Sequence, residues 1–543
     1  MSSTLKEVGV IIGEASSNEF YFSSKPGEMP SRWEYLLTYS EEDIDGAPKQ
    51  VEVVAQIERV ISASQALTKE LDFEIIKKII ESGLVDRKVW GKARVLGYLS
   101  DSGDLQQPKK AVMPGKPVYI APAGLLEKFY SYPEGEAIKV GALITRDEVP
   151  VSLSIKGFRR HLAIIAQTGS GKTYLAGIIV DELLKKGGTI IMLDPHADYV
   201  FLSRKTNGKR HELADRITVF RNPSSTGRYT EAEVGNVEPY EICFSDLDLD
   251  EICLISGISQ HYRNIATGLG KALEQLKADK DVFQPEDLLK KLENVDSWKT
   301  SDMDSKIVEG AKSAVKYLAR LIKMRVFTSG ATNISEMLKP MRLSVVDLSG
   351  LDDDVSDYIA FKILSDAYEK VASGEFEYPV FVFVEEAHKF IPAVDSTHSG
   401  SVVKKIAAEG RKFGIFLVLI TQRPSKIHSD ALSQCNSQII MRITNPKDQD
   451  AVAASSERLG ETLLDDLPGL NTGEAVIVGE MTRAPIMARI RKRTTREGGS
   501  DIDIVGKMKE AIEKAKGETV EGESQRLREE MKGFMDSTEE GKK

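Results

Sequence analysis

The feature that most constrains the fold is the segment AQTGSGKT, which runs from Ala166 to Thr173. It follows a short apolar run, HLAIIAQ, which is typical of a buried strand, and it precedes the helical pattern YLAGIIVDELLKK. A glycine-rich turn at such a junction directs backbone N–H groups and a helix amino terminus to one point, where they bind phosphate oxygens. The order therefore predicts a P-loop within a β-loop-α-β unit of a parallel sheet.

The residue types in this turn predict ATP and Mg²⁺ as cofactors. Lys172 is placed to reach the β and γ phosphates, and the Thr173 hydroxyl is a magnesium ligand. Ala166 replaces the usual first glycine, but the tight turn can be supplied by the two later glycines. The predicted nucleotide-binding residues are Gly169, Ser170, Gly171, Lys172, Thr173, Tyr174 and Asp194. Asp194 ends the next strand, TIIMLD, where it either faces the nucleotide or caps the following segment.

A second apolar run, VFVFVEEAHKF, ends in the adjacent carboxylates Glu385 and Glu386 and resembles a Walker B strand. The chemistry needs one carboxylate that holds magnesium through its hydration shell and another that polarises the attacking water. The usual order assigns the metal to Glu385 and the water to Glu386. Two acids after a strand also occur as a solvated cap, but the upstream P-loop favours the catalytic interpretation.

A third apolar run, IFLVLITQRPS, ends in the amide of Gln422. An amide at this position is suited to bond the γ-phosphate or the water before hydrolysis and to lose that partner afterwards. The alternative is an ordinary turn residue.

The helical segment KKIAAEGRKFG precedes that third strand and carries Arg411, our candidate for a guanidinium that acts across a subunit boundary. Arg160, just before the P-loop strand, is the second candidate. Arginines on helices are also commonly solvated or salt-bridged, so that alternative stays open for both.

The hydrophobic pattern predicts an α/β fold: a RecA-like P-loop NTPase core with a parallel central sheet, a β-barrel before it and a largely helical insertion. Strands such as QVEVVAQIERVIS and AIKVGALI are assigned to the barrel, and the helical stretch LDFEIIKKIIESGLV is expected to cap or cross it. The predicted divisions are 1–150 (barrel), 151–245 (first part of the core), 246–340 (helical insertion), 341–492 (second part of the core) and 493–543 (charged helical tail).

Composition places limits on the class of protein. No run of about 18 apolar residues and no signal-peptide pattern occur, so we expect neither secretion nor membrane insertion. Three cysteines without a CxxC pair favour a reducing, cytoplasmic setting. The net charge of −10 argues weakly against DNA, because a basic channel can exist inside an acidic molecule.

The motifs AQTGSGKT, LDPHADY, VFVFVEEAHKF, EGRKFGIFLVLITQRPS and SQIIMRITNPKDQ, in this order, resemble the HerA members of the HerA/FtsK superfamily over about residues 155–490. LDPHADY departs slightly from the commoner DPHGEY form. The resemblance implies an ATP-hydrolysing DNA helicase or translocase, a homo-hexameric ring with ATP sites at subunit interfaces, and double-stranded DNA in a central channel. It also implies Arg411 as a finger donated in trans and a NurA-type nuclease as partner in DNA end resection, double-strand break repair and homologous recombination.

Channel-facing loops of such a protein should present basic side chains to DNA phosphates. Lys389, Lys404 and Lys405 are the candidates, although a charge cluster is usually a solvated face.

Other functions remain as alternatives to a duplex DNA motor. A conjugation- or secretion-type ATPase would move single-stranded DNA or protein, but that class usually brings membrane segments. A non-hydrolysing ATP-binding scaffold would not need Glu386 beside Glu385. A small-molecule kinase would need a defined acceptor pocket.

Overall fold

A computed structural model describes residues 5–227, 229–259, 261–297, 305–456, 458–498 and 504–514 of the 543-residue chain. The chain divides into two compact units, Met1–Glu497 and Gly498–Lys543, and each is described by itself. Within the described residues, no helix is both long and apolar enough to cross a lipid bilayer.

The amino-terminal strands form a closed barrel. They are β1 (Glu7–Ala15), β2 (Glu19–Ser24), β3 (Tyr35–Ile44), β4 (Ala47–Ala63), β5 (Lys88–Leu99), β6 (Leu105–Gln106) and β7 (Pro117–Ile120). They pair in the order β2-β1-β7-β3-β4-β5-β6, and an additional β2–β5 pairing closes six of them. Alternate residues, such as Phe20 and Phe22 on β2, fill the interior. The barrel predicted from the strand pattern is confirmed.

Two short helices accompany the barrel, α1 (Phe73–Glu81) and α2 (Ala123–Phe129). All nine residues of α1 are described and none of them is buried; the Phe73 side chain, for example, is 74% exposed. The prediction that this helix caps or crosses the barrel is therefore wrong. An amphipathic pattern identifies a helix, but it does not say which surface covers the apolar face. In α2, by contrast, Leu126 and Phe129 are buried.

The rest of the first unit is built on a twelve-stranded sheet. Its strands and a separate β14–β15 pair are β8 (Ala137–Leu143), β9 (Arg146–Ser154), β10 (Leu162–Ile165), β11 (Thr189–Asp194), β12 (Ile217–Arg221), β13 (Val237–Pro239), β14 (Ile242–Cys243), β15 (Phe327–Thr328), β16 (Leu343–Asp347), β17 (Val380–Val384), β18 (Ile415–Thr421), β19 (Ser437–Ile440), β20 (Glu474–Val478) and β21 (Ile486–Ile490). The order is β13-β12-β16-β11-β17-β18-β10-β19-β20-β21-β8-β9. The strands from β13 to β19 are parallel, and those from β19 to β9 are antiparallel.

The parallel half confirms the α/β P-loop core. β8 and β9 require a correction, because the run AIKVGALI was assigned to the barrel. β8 pairs with β9 and with β21 of the large sheet, and its residues Ile138, Val140 and Leu143 join the core beneath that sheet. Alternating apolar residues indicate a half-buried strand but do not identify the sheet that the strand joins.

Helices cover both faces of the sheet and form the region between β13 and β16. They are α3 (Lys172–Lys185), α4 (Glu231–Val234), α5 (Leu249–Ser256), α6 (Arg263–Asp279), α7 (Pro285–Glu293), α8 (Ser305–Met324), α9 (Ile334–Met337), α10 (Asp353–Ala372), α11 (His398–Phe413), α12 (Ser429–Gln434), α13 (Pro446–Ser455) and α14 (Glu461–Asp466). α6 and α8 pack closely at glycines, since a Cβ at Gly310 would lie 2.1 Å from the Asn264 carbonyl oxygen. The stretch predicted as a helical insertion contains α5 to α9.

In the second unit, residues 504–514 are helical. The side chains of Ile504, Val505, Met508 and Ile512 are exposed along this helix. The remainder of the predicted tail, residues 515–543, lies outside the described residues.

Candidate active site

Three neighbouring strands bring the sequence-predicted residues to one edge of the sheet. β10 lies beside β18, and β17 lies on the other side of β18. Ile165 is in register with Thr421, and Val384 with Leu419, so the three strands end close together. The P-loop, the paired acids and Gln422 follow these ends directly, at the edge where open α/β sheets bind ligands.

The P-loop has the backbone that phosphate binding requires. Gly169 and Gly171 have φ of +77° and +105°, values that only glycine adopts freely, and Gly171 is the N-cap of α3. The Gly473 N–H donates to the Ser170 carbonyl oxygen at 3.1 Å and holds the loop from outside. The buried Ser170 Oγ has no hydrogen-bond partner among the described residues. The loop is thus a cradle with polar capacity left for a ligand.

Lys172 links the P-loop to both acids. Its Nζ donates to Glu386 Oε1 at 2.9 Å and also to Glu385 Oε1. Burial opposes the charged form of Lys172, but the two carboxylates outweigh it and raise the pKa of the ammonium. Burial likewise opposes ionisation of Glu386, yet the Lys172 charge holds the pKa of that carboxyl below its usual value. Lys172 and Glu386 are therefore both charged at neutral pH.

Glu386 is fixed by several contacts. It has φ of +48°, an uncommon conformation for a residue with a side chain. Gln422 Nε2 donates to Glu386 Oε1 at 2.6 Å, and Thr168 Oγ1 donates to the Gln422 amide oxygen. His388 Nδ1 lies 3.2 Å from Glu386 Oε2, and burial lowers the pKa of His388. Gln422 therefore connects the P-loop to the carboxylate predicted to activate water.

Asp194 makes the contacts of a cap. Its carboxylate accepts the backbone N–H groups of Asp198 at 3.1 Å and Tyr199 at 2.8 Å. Burial raises the pKa of Asp194 well above its ordinary value. The Tyr199 hydroxyl then donates to Glu385 Oε2 at 2.5 Å. Asp194 thus orders the turn that positions a partner of Glu385, in line with the second of its two sequence interpretations.

Asp198 was assigned no role from its sequence position, although it lies within LDPHADY. Burial, followed by the charge of Glu385, raises the pKa of Asp198 to about 6, while the charge of Lys172 opposes the shift. The charges of Glu385 and Lys172 both act on Asp198, which therefore lies near these two residues. An acid four residues after a strand end is the signal that could have marked it.

A cavity of about 420 Å³ extends from the P-loop. It is lined by Gln167, Thr168, Gly169, Gly171, Lys172, Thr173, Tyr174, Gln422, Met441, Thr472, Gly473, Ile490 and Glu497. Its size suits a nucleotide-sized ligand, and its lining mixes apolar surface with a few polar groups. Thr173 and Tyr174, two of the predicted nucleotide-binding residues, are among the lining residues. Ile490 and Glu497 come from distant segments that have no local sequence signature, and Met441 lies within SQIIMRITNPKDQ but was assigned no role there.

Arg493 braces the start of α3. Its side chain is 4% exposed, its Nη1 donates to the Thr173 carbonyl oxygen at 3.3 Å, and its backbone N–H donates to the Tyr174 hydroxyl at 2.6 Å. A Cβ on Gly177 would lie 2.3 Å from the Arg493 guanidinium carbon, so the absence of a side chain makes room for it. Residues 493–497 were assigned to the charged tail, but Arg493 and Thr495 are buried against the core.

Arg160 and Arg411 lie at the opposite edge of the sheet. Arg160 ends the turn before β10, and Arg411 is in the last turn of α11, just before β18. The four residues of β10 alone separate this edge from the P-loop by about 13 Å at ~3.3 Å per residue. Neither guanidinium therefore reaches the P-loop of its own chain.

The three lysines predicted to contact DNA lie on two elements. Lys389 follows β17, with its Nζ 3.7 Å from Asp353 Oδ1. Lys404 and Lys405 are on α11, where the Lys405 ammonium lies 4.4 Å from the ring centre of Tyr368. Their part in DNA binding stays a prediction.

Comparison with known proteins finds similarity to HerA helicases. Residues 138–367 match the family model for the central domain of helicase HerA. The DNA double-strand break repair helicase HerA of Pyrococcus furiosus is 29% identical, and the similarity covers 92% of this chain and 96% of that protein. The protein of the same name from Sulfurisphaera tokodaii is 28% identical, over 93% and 97% of the two chains. The chain is thus similar to HerA helicases over most of its length.

Among solved structures, the bacterial conjugative coupling protein TrwB is similar with a TM-score of 0.47 and 14% identity, over 69% of this chain and 92% of that one. The similarity to HerA helicases, together with the contacts of Lys172, Glu385 and Glu386, supports a HerA-type P-loop ATPase.

Proposed function

We propose that this chain is an ATP-driven motor that moves double-stranded DNA through a hexameric ring. The observation that supports the motor chemistry is the contact of Lys172 with Glu386, and of Glu386 with Gln422, across three strand ends. A turn that only held a nucleotide would have no need of a buried carboxylate kept ionised beside it. The same contacts argue against a non-hydrolysing scaffold.

The residues present fit ATP with magnesium. The Ser170 Oγ and the Glu386 Oε2 are buried polar atoms with no hydrogen-bond partner among the described residues. No group of three or more His, Cys, Asp or Glu able to hold a metal occurs within the described residues. A P-loop magnesium ion requires none, because phosphates and water supply most of its ligands. Thr173 and Glu385 would hold the ion, which would neutralise charge on the β and γ phosphates.

The protein side chains then divide the work. Lys172 exchanges its carboxylate partners for phosphate oxygens, which frees Glu386 to accept a proton from the attacking water. Gln422 stays within reach of both the P-loop and Glu386, so its amide reports whether the γ-phosphate is present. Gln422 directly follows β18, so an exchange of its hydrogen-bond partner is transmitted to that strand.

A ring is supported by the position of the arginines. Arg411 and Arg160 lie too far from the P-loop of their own chain, so any role at phosphate requires a neighbouring copy. Arg411→Ala rings should lose turnover by roughly 10³–10⁵-fold. Rings that mix Arg411→Ala with Lys172→Ala subunits should recover part of it, because each subunit supplies what the other lacks. Absence of recovery, with subunit exchange demonstrated, would exclude the trans role.

The DNA substrate is supported by the names of the relatives, which are DNA double-strand break repair helicases. We propose double-stranded DNA as the substrate. From the motif resemblance alone, we also propose a NurA-type nuclease as the partner in end resection. Lys389, Lys404 and Lys405 are the proposed phosphate contacts.

The decisive experiment measures ATP turnover with linear duplex DNA, with single-stranded DNA and with neither, at 50 and 200 mM salt. A motor on duplex DNA gives stimulation by the duplex that weakens steeply as salt increases. Stimulation by single strands alone would favour the conjugation-type alternative. Turnover that no DNA changes would contradict the proposal.

A further inference from the structure

His161 is a buried, strained residue that the proposed chemistry does not use. It lies immediately before the P-loop strand β10 and is 2% exposed. Its backbone has φ of 55° and ψ of 162°, a region that is populated essentially by glycine alone. A residue with a side chain persists there only when surrounding contacts hold it, and such strain is concentrated at functional positions.

Both imidazole nitrogens of His161 are used. Nε2 donates to the Ala407 carbonyl oxygen of α11 at 3.0 Å, and Nδ1 accepts the Leu417 N–H of β18 at 3.0 Å. One donating and one accepting nitrogen is the pattern of a neutral imidazole. Burial lowers the pKa of His161 to about 4, so this neutral form persists at neutral pH.

These bonds join three of the elements that position the ATPase residues. β10 leads into the P-loop, β18 ends just before Gln422, and Ala407 lies one helical turn before Arg411 on α11. The Arg411 charge is near enough to contribute, after burial, to the lowered pKa of His161. The backbone on either side of His161 is also tied down, because the Asn436 N–H donates to the Arg160 carbonyl oxygen at 2.9 Å.

We propose that His161 is a positioning residue that holds α11 against the P-loop strand and so sets where Arg411 is presented to the neighbouring subunit. This inference rests on the proposed role of Arg411 in trans. The strand that leads into the P-loop of one subunit thereby supports the guanidinium that acts on the nucleotide of the next subunit. A histidine that only filled the core would influence stability and leave this relation untouched.

Two substitutions separate the bonds of His161. His161→Asn keeps an oxygen that can accept the Leu417 N–H and tolerates a positive φ, but it is too short to reach Ala407. His161→Gln places an amide N–H near the position of Nε2 and can still donate to Ala407. We expect His161→Asn to lower kcat by roughly 10–100-fold, the scale of a misplaced catalytic group, with ATP affinity unchanged. His161→Gln should keep most of the turnover.

The test is a double-mutant cycle of kcat with Arg411→Ala in the full-length protein, with ATP affinity and Tm measured for every variant. If His161 acts through Arg411, His161→Asn causes no further loss once Arg411 is replaced. Independent, multiplying losses would overturn the proposal and leave the trans arginine intact. Equal kcat for His161→Asn and the wild type, or equal losses in the Asn and Gln variants, would also overturn it. If Arg411→Ala turns over normally, His161 has nothing to position, and both assignments fail.

Discussion

The two edges of the central sheet are built by the same strands and differ in whether their charged side chains are buried or exposed. At the carboxyl edge, the buried Lys172 contacts the buried Glu385 and Glu386, and Lys172 and Glu386 are both charged. At the amino edge, Arg411 is exposed, and the buried group beside it, His161, is neutral. Buried charges are stable only with partners, so the carboxyl edge is organised within one chain. An exposed guanidinium has no such need and is free to be used by another molecule.

Among the substitutions that test this difference between the edges, Glu386→Gln should have the largest effect. This change keeps the shape of the side chain and its bonds to Lys172 and Gln422, but it removes the base that accepts the proton from water. Turnover should fall by roughly 10²–10⁴-fold while ATP still binds. Steady-state hydrolysis and equilibrium binding of ATP measure the two effects.

The matched control is Glu377→Gln, because Glu377 is exposed and precedes the same strand, β17, at its amino end. It should turn over like the wild type. Normal hydrolysis by Glu386→Gln would remove the assignment of Glu386 as the base.

Lys172→Met should be the next largest effect, seen in stability. It leaves two buried carboxylates without a counter-charge, which costs about 3–5 kcal/mol of unfolding free energy at neutral pH. In the wild type the pKa of Glu386 is lowered, so the stability from this contact is present above pH ~4.5 and lost as pH falls. Without Lys172, burial is no longer offset at Glu386, so this carboxyl binds its proton more tightly in the folded chain than in the unfolded chain. The variant should therefore regain stability as pH falls from 8 to 5.

Urea unfolding at pH 5 and pH 8 measures this reversal. Lys186→Met is the control, because Lys186 is exposed at the other end of α3. If both variants follow the pH dependence of the wild type, the buried charge cluster does not exist in solution.

Two buried helical glycines allow each edge to be disturbed separately. In Gly177→Ala the new Cβ would overlap the Arg493 guanidinium, and in Gly410→Ala it would lie 2.6 Å from the Ile415 carbonyl oxygen, next to Arg411. Each should cost about 1–3 kcal/mol of stability by overpacking. Gly177→Ala should also weaken ATP binding, since Arg493 supports Thr173. Gly410→Ala should leave binding unchanged and lower kcat; weakened binding in that variant would show that the edges are not separable.

Asp198→Asn should have the smallest effect, and it should stabilise the fold, whereas the preceding variants destabilise it or lower turnover. The pKa of Asp198 is raised to about 6, so the folded chain holds this proton more tightly than the unfolded one. Its ionisation therefore destabilises the fold increasingly as pH rises from ~4 to 6, and the cost is complete above that range. The variant should be more stable than the wild type by about 1–2 kcal/mol at pH 8 and by less at pH 5.

Urea unfolding at the two pH values provides the measurement. Asp353→Asn, at a carboxylate that is 87% exposed, should change neither value appreciably. An equal gain at both pH values for Asp198→Asn would contradict the raised pKa.

The comparison also explains which parts of the molecule the sequence could predict. Lys172, Glu385, Glu386 and Gln422 each follow or flank a continuous apolar strand, and parallel strands must end at a common edge. Local pattern and topology therefore suffice to bring them together. Arg160 and Arg411 could be placed at the other edge for the same reason, since they precede their strands.

The rest of the site depends on contacts between distant segments. Thr472, Ile490 and Glu497 line the cavity because the sheet continues as antiparallel strands beyond β19. Nothing in their local sequences reports this continuation. The same limit explains why β8 was assigned to the barrel and why Arg493 was taken as part of a tail. Alternation and charge describe a segment, whereas its partner is decided by the whole chain.

The pairing of β8 with β21 has a consequence for biosynthesis. These strands are neighbours in the sheet, and the Arg489 guanidinium bonds the Ile144 carbonyl oxygen across 345 residues of chain. β8 and β9 thus emerge from the ribosome long before the strand that they border, and their free edge must wait for it. Arg493, which braces the P-loop helix, arrives later still. A nascent chain should therefore acquire its nucleotide site only after β21 and Arg493 have emerged, when the barrel has already had time to fold.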